Sequence, residues 1–195
     1  KKSISVQARY GPSKIVKLPL SIDEDLSCTV ALIIGDGHLS KNKFRTIIES
    51  SNRKLLTSLS KMVQSLFGTK TLIKRVKKRD GRKQTYHLSI YSKAVQELFN
   101  LVFNIPKGKK SDFVRVPSHI FSANKEIKNA FVIGLLAAEG SRKDKRKVRM
   151  CSASKWLLSD IKKILKDLEI ESSIESWINK KYKKEYYSLS FGRNH

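Results

Sequence analysis

Residues 31–40 read ALIIGDGHLS, an apolar helix that stops on an acid held between two glycines. Glycine is common just past a helix end because it takes the left-handed conformation without a Cβ clash, so Gly37 by itself predicts a cap. The same form returns at residues 134–143, GLLAAEGSRK, with Glu139 before Gly140. Two apolar helices that each end in a carboxylate call for one explanation.

The likeness extends along the chain. VALIIGDG at 30–37 matches IGLLAAEG at 133–140, an offset of 103 residues. IESSNRKLL at 48–56 matches MCSASKWLL at 150–158, an offset of 102. TYHLSIY at 85–91 matches YYSLSFG at 186–192, an offset of 101. Three blocks in one order at nearly one spacing mark a duplication.

Each unit reads helix–hairpin–helix–hairpin, an α+β arrangement. Asp23 or Asp25 caps a helix running to about Gly35, and Ser51 or Asn52 caps a second, with Leu55, Leu59, Met62, Val63 and Leu66 at helical spacing. A hairpin turned at Asp80-Gly81 follows. Ser92 then caps a third helix with Val95, Leu98, Phe99 and Val102 on one face. The division predicted is an N-terminal extension at 1–19, a first half at 20–103, a linker at 104–117 and a second half at 118–195.

Charge narrows the partners. Lys and Arg number 41 against 17 Asp and Glu, a formal charge of +24. Such an excess favours a polyanion, nucleic acid first. No apolar run reaches membrane-spanning length, and no basic amphipathic helix argues for a membrane surface. Cys28 and Cys151 lack the spacing of a zinc or disulfide framework, which fits a reducing intracellular setting.

Side by side, the two opening helices present small residues: Ala31 and Gly35 in one, Gly134, Ala137 and Ala138 in the other. Close approach brings Asp36 and Glu139 together, and like charges at short range need an offset. A divalent cation supplies one. The helix-end carbonyls of Gly35 and Ala138 add oxygen ligands, a set suited to Mg²⁺, with two or more ions shared between the acids. Metals so held polarise a phosphodiester and activate water.

The strands of each half form a sheet with helices behind it. In TYHLSIY, Tyr86, Leu88 and Ile90 point to the helices, leaving Thr85, His87, Ser89 and Tyr91 outward. Lys74, Arg75, Lys77, Lys78, Arg79, Arg82 and Lys83 surround that hairpin. Tyr186, Ser188 and Ser190 are the outward counterparts, with Arg146 and Arg149 nearby. A basic β-ribbon face suits the major groove of double-stranded DNA.

At these residues the chain resembles the LAGLIDADG homing endonucleases, in their single-chain, two-motif form. The motif cores are ALIIGDG and GLLAAEG, and the resemblance runs from about residue 20. It implies two αββαββ halves whose sheets form a DNA-binding saddle. It implies Mg²⁺-dependent cutting of both strands with 3′ overhangs by a monomer that needs no protein partner. It also implies an intron-encoded enzyme working where DNA is accessible, in a prokaryotic cytoplasm or an organelle. Asp36 and Glu139 match the metal-binding acids. Arg142, three past Glu139, matches a basic position of the family, and Lys143 adjoins it; either steadies charge on the reacting phosphate. The family often places Gln at the end of a half's second strand, where this chain has Ser50 and Ser152, preceded by Glu49 and Cys151. A splicing maturase or DNA-binding regulator on the same scaffold would keep the basic face without needing both acids. A ribosome-associated protein would explain the charge alone.

Overall fold

Asp23 starts the helix that decides the fold: its side chain accepts the Leu26 N–H at 2.9 Å, capping α1 (Glu24–Asp36). Leu26, Val30, Ala31, Leu32, Ile33 and Ile34 are all buried, each large one contributing roughly 1.5–3 kcal/mol. A helix apolar on nearly every side must sit inside the molecule. In this computed structural model, which describes residues 2–7, 15–77, 81, 83–142, 147–180 and 183–192, α1 packs against α5 (Lys125–Glu139), itself capped by Asn124.

Around this pair the repeat closes twice. In the first half, α1 leads directly into β3 (Gly37–Leu39), then β4 (Arg45–Ser50), α2 (Arg53–Phe67), β5 (Thr71–Arg75) and β6 (Tyr86–Tyr91). In the second, α5 leads into β7 (Gly140–Arg142), β8 (Lys147–Ser152), α6 (Lys155–Asp167), β9 (Ser172–Asn179) and β10 (Lys184–Gly192). The sheet orders are β3-β4-β6-β5 and β7-β8-β10-β9, every pairing antiparallel. Asn52 and Ser154 cap α2 and α6 through bonds to Leu55 N–H and Leu157 N–H. Leu88, Ile90, Met150 and Leu189 are fully buried against the helices, so alternation puts His87, Ser89 and Tyr91, with Arg149 and Ser190, on the other face. The turn expected at Asp80-Gly81 has Gly81 at φ 71°; Asp80 lies outside the described residues.

Three features depart from the sequence reading. Two strands precede α1, β1 (Ser3–Gln7) paired antiparallel with β2 (Ile15–Pro19) and packed on the first half through buried Val16. A short α4 (Ser118–Phe121) precedes α5. The third helix, α3 (Lys93–Glu97), capped by Ser92, opens at Leu98–Val102 into a π turn closed by Phe103 N–H to Leu98 O. The wider turn rotates Val102 off the core face, leaving it 41% exposed, while Val95 and Phe99 stay buried.

Residues 104–117 are tied to both halves. Gly108, at φ 84°, donates its N–H to Leu39 O, and Lys107 pairs with Glu97 at 2.7 Å. On the far side Arg115 forms a forked pair with buried Asp160, at 3.0 and 2.8 Å, and Ser154 Oγ donates to Val114 O.

Candidate active site at the paired helix tips

Glycine sets how closely α1 and α5 approach. A Cβ on Gly35 would lie 2.5 Å from Ala138 Cβ, and one on Gly134 would lie 2.7 Å from Cys28 O. Ser27 Oγ donates to Ile127 O at 2.8 Å across the same interface. The helices therefore meet backbone to backbone, and their ends carry Asp36 and Glu139 to one place.

The glycines after the acids act differently from the left-handed cap expected. Gly37 (φ −99°, ψ 166°) and Gly140 (φ −79°, ψ 144°) are both extended, so each helix passes straight into a strand. Glycine is required there because a Cβ would meet Ile33 O at 2.8 Å, or Leu136 O at 2.2 Å. Steric closeness to the last helical turn, rather than positive φ, selects the residue.

Burial pushes Asp36 up to about 7, helped by the charges of Glu139 and Glu49 and opposed by Lys110. Burial also raises Glu139, again opposed by Lys110. Lys110, which the sequence did not single out, is only 7% exposed and donates from Nζ to Ile34 O and to Gly35 O, the latter at 3.2 Å. Burial draws it down to about 8 against the pull of both carboxylates. Its ammonium occupies the negative end of the α1 dipole. The linker thus delivers a cation to two half-buried acids.

This donor set fits a hard divalent ion. Two carboxylates and helix-end carbonyls are all oxygen, and a cation already sits against the tip in the form of Lys110. Gly35 O is shared with that lysine. Among the described residues no three His, Cys, Asp or Glu side chains gather as a metal site, so two acids would be the protein's charged ligands.

A cleft of about 960 Å³ opens from the tips over the first sheet, lined by Asp36, Glu49, Ser50, Lys77, Lys83, Thr85 and His87, with Ala138 and Gly140 from the other helix. Lys74 shares the register of His87, on the outward face. Arg75 shares that of Tyr86, toward the helices, where its Nε donates to Gln84 Oε1 at 2.8 Å. Ser50 and Ser152 end β4 and β8, and their Oγ atoms accept the N–H groups of Asn52 and Ser154. Glu49 and Cys151 take the outward positions instead. Ser89, Ser188 and Ser190 are outward but 7, 2 and 5% exposed. Serine is short, and Ser188 lies between Cys151 and Glu175, Ser190 beside Arg149. Arg149 Nε and Ser190 Oγ, a register pair, are both buried without a hydrogen-bond partner. Tyr186 stacks on Trp177, ring centroids 5.9 Å apart. Arg142 ends β7, with only its backbone described. Lys143, Arg146, Lys78, Arg79 and Arg82 lie outside the described residues.

No helix among the described residues is long and apolar enough to cross a membrane. No curated protein matches the chain by sequence. Among solved structures it is similar to mesophilic variants of the homing endonuclease I-DmoI, at 23% identity over 86% of this chain and 88% of that one, TM-score 0.62. A variant of I-DmoI in complex with its target DNA and in the presence of manganese matches at 22% identity over 86% of each chain, TM-score 0.61. Full-length DUF199/WhiA from Thermatoga maritima matches at 14% identity over 90% of this chain and 53% of that one, TM-score 0.59. The LAGLIDADG-like domain family matches residues 30–102 and 126–195, one block in each half, and the chain belongs to that family.

Proposed function

We propose that the chain is a site-specific endonuclease that binds a long asymmetric duplex as a monomer, cuts both strands with Mg²⁺ and leaves 3′ overhangs, in the service of intron homing. The fold is shared with I-DmoI and with WhiA, so the reading rests on one observation: Asp36 and Glu139, both half-buried, brought together at the tips of two close-packed helices, with Lys110 against them. Two acids with raised pKa values are costly to bury and suit a cation-dependent task. The I-DmoI complexes with target DNA, one with manganese and one with magnesium, support the choice of partner and ion.

Asp36 and Glu139, with the Gly35 and Ala138 carbonyls, are the groups to hold Mg²⁺. Bound there, the ion supplies Lewis-acid polarisation of a phosphodiester and a more acidic water. Lys110 keeps positive charge beside the acids and stabilises negative charge as it grows on the phosphate. Lys74, Lys77 and Lys83 contact phosphates and set position. The unpartnered Arg149 Nε and Ser190 Oγ give the second sheet polar groups for a ligand to satisfy; Arg142 and Lys143, matched to the family's basic position by sequence, are to steady charge on the reacting phosphate.

Selection of cleavable sites from a randomised duplex library with Mg²⁺ tests this. The expected product is one asymmetric consensus cut in both strands. Tight binding with no cleavage under any divalent ion would overturn it in favour of a DNA-binding regulator or a maturase.

A further inference from the structure

The two halves of the site are unlike, and the duplication shows where. Gly37 is opposite Ile48 in the β3–β4 register, so Glu49 is the next residue across from Asp36. Gly140 is opposite Met150 in β7–β8, so Cys151 is the next across from Glu139. Each acid thus has a cross-strand neighbour: a carboxylate in the first half, a thiol in the second. One strand further, Glu49 is opposite His87 and Cys151 is opposite Ser188.

In the first half these residues form a unit. His87 Nε2 and Glu49 Oε2 are 2.9 Å apart, their side chains 35 and 52% exposed, and both line the cleft that holds Asp36. The charge of Glu49 is felt at Asp36. The second half offers no equivalent. Cys151 is half-buried and puts a thiol where the first half has a carboxylate. Ser188 is covered.

We propose that Glu49, held in place by His87, positions and deprotonates the water attacking the phosphodiester next to Asp36, and that the strand served by Glu139 is cut without such a group. This deepens the endonuclease reading and rests on it. In the step, the water oxygen bonds to phosphorus while the bond from phosphorus to the leaving ester oxygen breaks. The water's proton passes to the Glu49 carboxylate, and the leaving oxygen takes a proton from solvent. A placed base of this kind accelerates a reaction by about 10²–10⁴-fold. One strand is therefore cut first, and a nicked duplex accumulates before the double-strand break.

Single-turnover cleavage of a duplex with each strand labelled separately tests the assignment, using the unmodified protein, Glu49→Gln and His87→Asn. Unmodified protein should nick one particular strand first. Glu49→Gln should slow that strand by about 10²-fold or more, leave the other strand and DNA affinity nearly unchanged, and so reverse or erase the order. His87→Asn should slow the same strand by a smaller factor. Equal slowing of both strands, or weakened binding with both strand rates intact, would overturn the assignment and make the pair a structural or base-reading contact. Equal strand rates in the unmodified protein would also overturn it while leaving the endonuclease reading standing; no cleavage of either strand counts against that reading instead.

Discussion

Lys110 carries the site's positive charge, and no local pattern marks it. It is one of several lysines in a polar linker, and its partner Ile34 is 76 residues away in the chain. It also belongs to no repeat block, so self-comparison passes over it. Asp36 and Glu139 were legible because each ends an apolar run and because there are two of them. Replacing Lys110 by Met should lower single-turnover cleavage by about 10²–10³-fold, the usual loss for one placed donor, with DNA affinity changed only a few-fold; an unchanged rate would leave the lysine a structural neutraliser. The acids also leave a mark on stability. In the folded protein Asp36 holds its proton up to about 7, against 3.8 for an exposed aspartate. Between those pH values the folded state binds more protons than the unfolded state, so this contribution to stability is full below about pH 4 and lost by about pH 7. In a chelator, Asp36→Asn should therefore raise Tm over the wild type by an amount that grows from pH 4 to 7 and then levels. A difference that is flat across that window would contradict the half-buried, protonated carboxyl.

Helices α1 and α5 turn a pair of residues into a site. Their packing was readable in outline, since Gly35, Gly134 and Ala138 are small where the interface needs smallness. Gly134→Val pushes side-chain atoms into the Cys28 carbonyl, which a Cβ already reaches at 2.7 Å. Overpacking of this kind costs about 1–3 kcal/mol, and thermal unfolding should show it. Cleavage should fall further than the lost stability explains, because the tips separate. The strands were legible by the alternation of TYHLSIY, and the caps by Ser92 and by the pairs Asp23 or Asp25 and Ser51 or Asn52, of which Asp23 and Asn52 make the bonds. The β1–β2 pair was not: its strands lack a repeat partner, and among their described residues only Val16 is buried. The π turn was hidden because Val95, Leu98, Phe99 and Val102 fit a regular helix equally well. The burial of Ser188 and Ser190 was hidden because alternation tells which face a residue is on, not how tall its neighbours are.

Across the whole molecule, charge and duplication make two claims. If the sheets neutralise about six to ten phosphates, affinity should fall about 10³–10⁵-fold between about 50 and 200 mM salt, and a shallow dependence in a titration would place DNA elsewhere. The outward residues differ between halves, Tyr91 against Gly192 for one, so the two half-sites should differ in sequence. Strand β10, with 9 residues, spans roughly 30 Å, close to one turn of duplex, and two halves then cover on the order of 20 bp. The central claim is that Asp36 and Glu139 jointly cut this DNA. The most direct measurement is cleavage of the selected duplex with Mg²⁺ by the wild type, Asp36→Asn and Glu139→Gln, with binding measured in parallel. Wild type should cut both strands, and either variant should bind nearly as well and make no double-strand break. Robust double-strand cleavage by either variant would contradict the account.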